Sequence, residues 1–313
     1  MVMMHHKEEA VGNPNGPIDE TCIARFLDSL DVRDSSKYTY KRQLREFIAW
    51  VNRSQCAELT REVILAYKDY LKKDRRLAAF TIAGYLTAIR RFFEWLESVK
   101  IYPNVAKSIR GPKRRPGFKR DAFSVEQVHN LFDSIDCSTI DGKRDFALIN
   151  LMVRTGLRTI EIVRAMREDI ANNSGAMVMW VQGKGRDSKD ELVVLTEKTL
   201  QPIRDYLYAR ASNWDTDPIF ASHSTKNFGK PMTTRSVSRI VKNRLKAIGI
   251  IDRRLTAHSL RHTAITFSIL AGATPQEARV MARHADINTT LIYAHNINRI
   301  QHAPERKIDL FLE

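Results

Sequence analysis

Residues 258–263 read HSLRHT, and residues 283–295 read RHADINTTLIYAH. In the first stretch His258 and Arg261 are three positions apart, so a helix would place both side chains on one face. In the second stretch Tyr293 follows His284 by nine residues and lies near the end of the sequence. Each of these side chains is common when taken alone, and only their order along the chain is informative.

Two stretches upstream complete the pattern. Residues 155–161 read TGLRTIE, in which Gly156 ends one helix and Arg158 begins the next. Glu161 lies one turn after Arg158, at the spacing that lets a carboxylate hold a guanidinium group. Further on, Lys184 lies between two glycines and between two short apolar runs, 177–181 and 192–195. These runs predict a β-hairpin with Lys184 at its flexible tip.

In order, the chain has an Arg with a nearby acid, a Lys in a glycine-flanked hairpin, an HxxR pair, a His and a Tyr. This ordered set resembles the catalytic domain of the tyrosine recombinases, also called the phage integrase family. The resemblance runs from about residue 123 to the end, and the helical segment before it looks like the core-binding domain of that family. One departure is Arg283, since the family more often has a small Gly before this His.

The resemblance implies a reaction at a phosphodiester. Two arginines clamp the non-bridging oxygens, whose negative charge grows in the transition state. A tyrosine attacks to give a 3′-phosphotyrosine, and its ordinary pKa of about 10 means that it needs cationic neighbours to ionise. The implied roles are Arg158 and Arg261 as the clamp, Glu161 as support, His258 as base or hydrogen-bond partner of the nucleophile, His284 as stabiliser of the pentacoordinate phosphate, Lys184 as the acid for the 5′-oxygen, and Tyr293 as the nucleophile.

Arg186 and Lys189 compete with Lys184 as proton donor, and the Gly-Lys-Gly setting favours Lys184. No cofactor is expected, because the covalent bond to tyrosine conserves the energy of the cleaved linkage. The sequence has no GxxxxGK[ST] phosphate loop and no cysteine metal cluster. His258 and His262 have the HxxxH spacing of a zinc site, but position 259 is Ser rather than Glu and no third ligand is evident. His262 is therefore interpreted as a structural residue or a packing neighbour of the site.

The chain of 313 residues is long enough for two domains. Residues 1–18 predict a loose tail, and residues 19–102 contain four helical apolar stripes that predict an all-helical core-binding domain. Residues 103–120 predict a basic linker without a core face, and residues 121–313 the catalytic domain with a carboxy-terminal tail. Capping boxes at 124–127 and 274–277 predict helix starts. The expected fold is mainly α-helical with a small β-sheet.

The chain has 51 Lys and Arg residues against 36 Asp and Glu, which is a formal net charge of +15. Charge of this sign attracts polyanions, but it does not distinguish DNA, RNA and an anionic membrane. With the catalytic resemblance, the expected partner is double-stranded DNA, held through its phosphates by basic helix faces and by the linker. The residues expected to make these contacts are Lys37, Lys41, Arg42, Arg45, Arg90, Arg91, Lys113, Arg114, Arg115, Arg235, Arg239 and Lys242.

The expected location is the bacterial cytoplasm, in association with the nucleoid. No apolar run approaches the roughly 20 residues of a membrane-spanning helix, and the amino terminus has no signal-peptide core. Cys22, Cys56 and Cys137 are far apart, as expected in a reducing compartment. The resemblance implies that the apolar segment 308–312 docks in a neighbouring protomer and permits a tetramer on two DNA sites. Docking on its own domain is the alternative.

The resulting hypothesis is a site-specific DNA recombinase that cleaves and rejoins strands in the integration or excision of a mobile element or prophage. The departure at Arg283 is the reason for preferring this role to that of an Xer-type chromosome dimer resolvase. A type IB topoisomerase uses the same chemistry, but the compact helical amino-terminal domain and the apolar tail argue against it. A non-catalytic DNA-binding regulator is the alternative of another class, and it would have no need of Tyr293.

Overall fold

The computed structural model describes residues 18–56, 58–113, 122–183, 185–211, 215–252 and 254–293, together with 308, 309 and 312. The chain divides into two units, Met1–Pro116 and Gly117–Glu313. The described residues are mostly helical with a three-stranded sheet in the second unit, which confirms the predicted fold class.

The described residues of the amino-terminal unit form four helices: α1 (Glu20–Asp28), α2 (Asp34–Arg53), α3 (Arg61–Lys73) and α4 (Ala79–Ser98). They are the four helices that the apolar stripes predicted. Their buried faces meet in a single core in which aromatic rings are prominent. The largest buried side chains of this core include Phe26, Phe47, Tyr67, Phe92 and Phe93.

Helix α4 packs against each of the other three helices of this unit. Two consecutive residues show how this is possible, because neighbouring positions on a helix point about 100° apart. The ring centroid of Phe92 lies 5.3 Å from that of Phe26 in α1, whereas Phe93 lies 6.4 Å from Phe47 in α2. The buried face of the helix is therefore wide enough to contact several neighbours at once.

Part of the predicted linker belongs to this same core. Ala106 and Ile109 are buried among its apolar residues, and the carbonyl of Lys107 accepts a hydrogen bond from Arg61 of α3 at 2.6 Å. The prediction that the stretch 103–120 lacks a core face is thus wrong for residues 103–113. Val105, Ala106 and Ile109 are too few, within a basic segment, to give a periodicity that reveals a buried face.

The carboxy-terminal unit begins with α5 (Val125–Asp133), α6 (Ile140–Thr155) and α7 (Thr159–Arg164). A short 3₁₀ turn leads into strands β1 (Ile170–Asn173), β2 (Ala176–Val181) and β3 (Glu191–Val194). Helices α8 (Glu197–Ala209), α9 (Thr234–Ala247), α10 (Ala257–Leu270) and α11 (Pro275–Ala282) follow, and residues 288–293 are again helical. The capping boxes predicted at Ser124 and Thr274 are present at the starts of α5 and α11.

Helix α6 is the buried centre of this unit and packs against α8, α9 and α10. Its polar Asn150 is almost fully buried, but its amide donates to the carbonyl of Lys198 at 2.8 Å and accepts from Arg154 at 2.7 Å. A buried amide with both groups bonded costs little. Helix α6 can therefore pass through the core, and it ends at Thr155, next to the site described below.

The three strands form an antiparallel sheet in the order β1-β2-β3. Strands β2 and β3 are the two arms of the predicted hairpin, with Val178 opposite Val194. Strand β1, which pairs Ile170 with Met179, was not predicted. Its sequence IANN ends in two exposed asparagines, so it carries no alternation of apolar and polar residues.

Candidate active site

The partly buried Arg158 and the fully buried Glu161 form an ion pair at the start of α7. Gly156 ends α6 with a φ of 63°, a left-handed conformation that glycine adopts freely, and Arg158 then precedes α7. The fully buried Glu161 carboxylate accepts two hydrogen bonds from Arg158, at 2.8 Å from the backbone N–H and at 2.7 Å from Nη1. Burial alone would raise the pKa of Glu161, but the charge of Arg283 and the bonds from Arg158 outweigh it and lower the pKa. The carboxylate is therefore charged at neutral pH.

The guanidinium of Arg261, on α10, is buried next to this pair. It donates through Nη1 to the carbonyl of Gly156 and through Nη2 to the carbonyl of Ala282, so two helix ends fix its orientation. Burial, followed by repulsion from Arg158 and Arg283, lowers the pKa of Arg261 to about 9. The cluster holds more positive charge than Glu161 balances, and an anion placed here would relieve that repulsion.

Arg283 ends α11 with a left-handed backbone, at φ 53° and ψ 49°. Glycine adopts this conformation without strain, which explains why a Gly is the more common residue at such a position. The side chain of Arg283 is only 4% exposed, and its Nη2 donates to Glu161 at 2.9 Å. Its carbonyl accepts a hydrogen bond from Nη2 of Arg158 at 3.1 Å. The departure seen in the sequence thus lies within the charged cluster itself.

His284 comes next in the chain, and its Nδ1 lies 2.8 Å from the hydroxyl of the fully buried Thr290. Burial, followed by the charges of Arg261 and Arg158, lowers the pKa of His284 to about 4. At neutral pH the ring is therefore uncharged and carries a single N–H. Its hydrogen bond with Thr290 determines which nitrogen carries that proton.

Tyr293 is 5% exposed and packs against Ile265 and Ala282. Its hydroxyl makes a hydrogen bond with Nδ1 of His262, and the centroids of the two rings are 5.4 Å apart. His258 lies one turn earlier on α10, with its ring edge-on to that of His262 at a centroid distance of 4.6 Å. The two imidazoles and the phenol therefore form a continuous row.

A cavity of about 610 Å³ opens beside the charged cluster. Its lining includes Arg158, Arg186, Arg279, Arg283, Glu191 and His284. Four guanidinium groups and a single carboxylate among these residues give the cavity a cationic wall, as a site for a phosphate requires.

Two comparisons with protein-family models cover most of the chain. Residues 122–299 match the phage integrase family, and residues 23–102 match the phage integrase N-terminal SAM-like domain. The chain belongs to the phage integrase family of tyrosine recombinases. The family resemblance found in the sequence is confirmed, and so is the class of enzyme, a site-specific DNA recombinase.

Individual members of the phage integrase family resemble this chain over most of its length. Tyrosine recombinase XerD of Listeria monocytogenes serotype 4b (strain F2365) is 27% identical over 266 residues, which cover 82% of this chain and 86% of XerD. Tyrosine recombinase XerC of Chlamydia caviae is 30% identical over 238 residues, which cover 75% of this chain and 73% of XerC.

Two solved integrase-family structures share the fold. The XerH site-specific recombinase bound to a palindromic difH substrate has a TM-score of 0.69 at 20% identity and covers 93% of this chain and 91% of its own. The Tn1549 transposon integrase in complex with transposon right end DNA has a TM-score of 0.68 at 16% identity, with coverage of 87% and 93%.

The hairpin residue expected to act as the acid in this integrase-family site, Lys184, lies outside the described residues. The two alternatives beside it are both engaged by carboxylates. Arg186 contacts Asp190 and, at 3.1 Å, Glu191. The Nζ of Lys189 lies 2.7 Å from the buried carboxylate of Asp169. Neither Arg186 nor Lys189 is therefore an unengaged cation.

The basic residues expected to contact DNA in the amino-terminal unit lie on two helices that pack together, α2 and α4. On α2, Arg42 and Arg45 are exposed and Lys37 and Lys41 are half-buried. On α4, both Arg90 and Arg91 are exposed. Three of these residues have partners. Arg45 pairs with Glu20 of α1, Arg91 donates to the Tyr40 hydroxyl at 3.2 Å, and Arg90 donates to the Thr87 hydroxyl, also at 3.2 Å.

The remaining expected DNA contacts fall in the second unit and in the stretch before it. Arg235, Arg239 and Lys242 are exposed on α9, and their spacing of four and three residues puts them on one face. Lys113 is exposed, whereas Arg114 and Arg115 lie outside the described residues. In the tail 308–312, the described Ile308 and Leu312 are exposed.

Three features of the integrase-family site were not predicted from the sequence: the contact of His262 with Tyr293, the contact of Thr290 with His284, and the role of Arg283 in the charged cluster. His262 was interpreted as structural or as a packing neighbour, yet it is the residue that bonds the Tyr293 hydroxyl. Thr290 was not singled out, although it lies three residues before Tyr293. Arg283 was noted only as a departure. The HxxxH spacing was a usable signal for His262, because it places both imidazoles on one face of α10.

Among the described residues, no group of three or more His, Cys, Asp or Glu side chains is arranged to hold a metal ion. Likewise, none of the helices in the described part of the chain has the length and apolar character needed to cross a membrane.

Proposed function

We propose that this chain cuts and rejoins DNA strands at specific sites through a covalent 3′-phosphotyrosine at Tyr293. One observation carries the proposal: cationic groups from distant parts of the sequence lie next to a phenol. Arg261 donates to the carbonyl of Ala282, against which Tyr293 packs, and Arg158 donates to the carbonyl of Arg283, the next residue in the chain. A phenol beside preorganised cations is the arrangement that nucleophilic attack on a phosphodiester requires.

In this mechanism Arg158 and Arg261 hold the two non-bridging oxygens of the scissile phosphate. Backbone carbonyls and Glu161 already orient both guanidinium groups, so little reorganisation is needed when the phosphate arrives. The incoming anion also offsets the repulsion that lowers the pKa of Arg261. The extra charge of the pentacoordinate transition state would strengthen the same contacts.

His284 contributes a hydrogen bond rather than a charge. Because its pKa is about 4, the ring is neutral at pH 7 and has one proton to donate. In this proposal the Thr290 hydroxyl, 2.8 Å from Nδ1, donates to that nitrogen, which keeps the ring proton on Nε2. His284 then donates from Nε2 to a phosphate oxygen.

The phenol oxygen of Tyr293 forms a bond to phosphorus while the bond from phosphorus to the 5′-oxygen breaks. The phenol proton passes to Nδ1 of His262, its hydrogen-bond partner, and His258 packs behind that ring. The base role that the family resemblance assigns to His258 is thus shared with His262. Reversal by a 5′-hydroxyl of another strand rejoins the DNA.

Lys184 supplies the proton to the 5′-oxygen. Support for this assignment comes from its neighbours, since Arg186 and Lys189 are occupied by Asp190, Glu191 and Asp169. In the sequence Lys184 lies between two glycines, and glycine places few restraints on the backbone.

The test is covalent trapping. The full chain is incubated with a pool of nicked duplexes of random sequence, from which a covalent adduct is isolated on a denaturing gel. We expect an adduct with the wild-type chain and none with Tyr293→Phe. Tyr208→Phe is the matched control, since Tyr208 is 89% exposed and lies away from the cluster, and it should form adduct at the wild-type rate. Adduct formation by Tyr293→Phe would exclude Tyr293 as the nucleophile.

Double-stranded DNA is held through the exposed basic residues of α2, α4 and α9 described above. Their charge supports phosphate contacts, which position a protein on DNA without reading its sequence. Assembly of a tetramer on two sites, with the segment 308–312 docked in a neighbouring protomer, completes the proposal. The exposure of Ile308 and Leu312 is what supports it.

Within this activity, integration or excision of a mobile element or prophage is the proposed role. The Arg283 departure supports it. Similarity to XerD along 82% of this chain and 86% of that protein favours an Xer-type resolvase as the second candidate. Crosslinking the protein to DNA in its host and sequencing the bound DNA distinguishes the two. Element ends would support the first role, and a single chromosomal site would support the second. The proposed location is the nucleoid of the bacterial cytoplasm, and recovery of chromosomal or element DNA would support it.

A further inference from the structure

Arg283 combines an unfavourable backbone conformation with a buried charge. Its left-handed backbone costs conformational energy that glycine would avoid, and its side chain is 4% exposed. A guanidinium removed from water needs compensating partners. Both features are tolerated only if the contacts of this side chain stabilise the fold by more than the two features destabilise it.

Those contacts link three separate elements. On one side Nη2 of Arg283 donates to Glu161 at 2.9 Å, and Glu161 holds Arg158 at 2.7 Å. On the other side Nε of Arg283 lies 3.9 Å from Oε2 of Glu191, the first residue of β3. Glu191 in turn contacts Arg186 at 3.1 Å. Alternating charges therefore run from the Lys184 hairpin to the phosphate-binding arginine.

The contact with Glu191 is incomplete in this structure. Nε of Arg283 is buried and has no hydrogen-bond partner among the described residues. A shift of about 1 Å would bring Glu191 within hydrogen-bond distance. Glu191 also lies against Gly183, because a β-carbon at that position would be 3.2 Å from its Oε2. Closure of the gap between Arg283 and Glu191 would therefore shift Gly183, which precedes Lys184 in the hairpin.

We propose that Arg283 is a positioning residue that couples the Lys184 hairpin to Arg158. Its guanidinium shares the charge of Glu161, so that Arg158 retains attraction for a phosphate, and its Nε fixes Glu191 and the hairpin when DNA is bound. The inference rests on the proposed function, because it assigns the phosphate to Arg158 and the leaving-group proton to Lys184.

One substitution distinguishes a positioning role of Arg283 from a merely structural role, because the two roles predict opposite effects on activity. Arg283→Gly keeps the carbonyl that Arg158 uses, and it removes the left-handed strain. If Arg283 only terminated α11, the Gly variant would be as stable and as active as the wild type, or more so. If Arg283 is a positioning residue, cleavage falls by about 10- to 100-fold although the backbone is relaxed.

The experiment uses a nicked duplex recovered from the random-sequence pool as a covalent adduct of the wild-type chain. It is prepared with the natural 5′-oxygen and with sulfur at that bridging position, since a thiolate leaves without needing a proton. Cleavage rates are measured for the wild type, Arg283→Gly, Arg283→Lys and Glu191→Gln. We expect Glu191→Gln to be slow with oxygen and restored by sulfur, because it acts through Lys184.

Arg283→Gly should be slow with both substrates, because it also affects Arg158, and Arg283→Lys should be intermediate. On the oxygen substrate, adding Glu191→Gln to Arg283→Gly should cost little more than Arg283→Gly alone. Wild-type rates for Arg283→Gly, or additive losses in the double variant, would overturn the inference and leave the proposed function standing. Absence of any adduct from the wild type would overturn both. Glu191 is 23% exposed, so Glu191→Gln tests the coupling even if Arg283→Gly folds poorly.

Discussion

Replacing Glu161 by Gln removes one negative charge from the centre of the site and leaves the size of the side chain almost unchanged. The carboxylate accepts three hydrogen bonds, two from Arg158 and one from Arg283, and it has no exposed surface. An amide has one acceptor oxygen, and its NH₂ group would face a guanidinium donor. The substitution therefore breaks at least one charged hydrogen bond and leaves the buried Arg283 and the partly buried Arg158 without their counter-ion.

The magnitude follows from the contacts that are lost. Hydrogen bonds to charged groups contribute about 1.5–3 kcal/mol each, and loss of one partner of a buried ion pair costs about 3–5 kcal/mol. Arg158 and Arg283 keep carbonyl partners at 3.1 and 2.7 Å, which favours the lower end. We expect the free energy of unfolding of the carboxy-terminal unit to fall by about 3 kcal/mol. With an m-value of about 3 kcal/mol per M, the urea midpoint falls by about 1 M.

The assay is pulse-labelling hydrogen exchange at increasing urea, followed by mass spectrometry of peptides. Peptides from α6 report on the carboxy-terminal unit, and peptides from α4 report on the other unit and should not respond. Glu197→Gln is the matched control, because Glu197 makes an exposed ion pair with Arg204 on the same unit. Its midpoint should shift by about 0.2 M or less. Equal shifts for Glu161→Gln and Glu197→Gln would refute the claim that a buried charge holds this site together.

Three further outcomes are expected. Thr290→Val should slow covalent cleavage by about tenfold, because the hydroxyl of Thr290 sets the tautomer of His284. Thr290→Ser keeps a hydroxyl and should cleave at about the wild-type rate. Equal rates for the Val and Ser variants would contradict this role of the hydroxyl. The pKa of His284 is about 4 against 6.5 ordinarily, so its contribution to stability is complete above pH 6.5 and is lost as the pH falls towards 4. The urea midpoint of the wild type should therefore fall more steeply than that of His284→Gln between pH 7 and 4.5, and parallel curves would refute it. For the association constant with DNA, the plot of log K against log salt concentration should be less steep by about one for Arg42→Gln. Arg45→Gln should change the slope by less, because Glu20 already balances the charge of Arg45. The opposite order would show that Arg42 makes no phosphate contact.

Local parts of the site could be predicted because helix geometry relates sequence spacing to position. Arg158 and Glu161 are three apart and do pair, and Gly156 does end a helix with a left-handed backbone. The four helices of the first unit are likewise visible as apolar stripes with a period of 3.6, and the β2-β3 hairpin as two short apolar runs on either side of a glycine-containing stretch.

Other parts could not be predicted, because they depend on how distant segments pack. The Arg283 side chain bonds Glu161, 122 positions away in sequence, and Arg261 bonds the carbonyl of Gly156, 105 positions away. Strand β1 forms only because β2 offers it an edge. No spacing rule relates such residues, so their contacts follow from the packing of α6, α10 and α11 rather than from any local pattern.

The sequence by itself determined which reactive groups this protein carries and which of them share a helical turn, because a helix repeats every 3.6 residues whatever surrounds it. Only the tertiary structure decided which imidazole bonds Tyr293, and that Arg283 turns its buried guanidinium onto Glu161. The physical reason is that these contacts join chain segments whose relative positions are set by the burial of a shared core. The residue that looked like a departure in the sequence is, in the fold, part of the charge balance of the site.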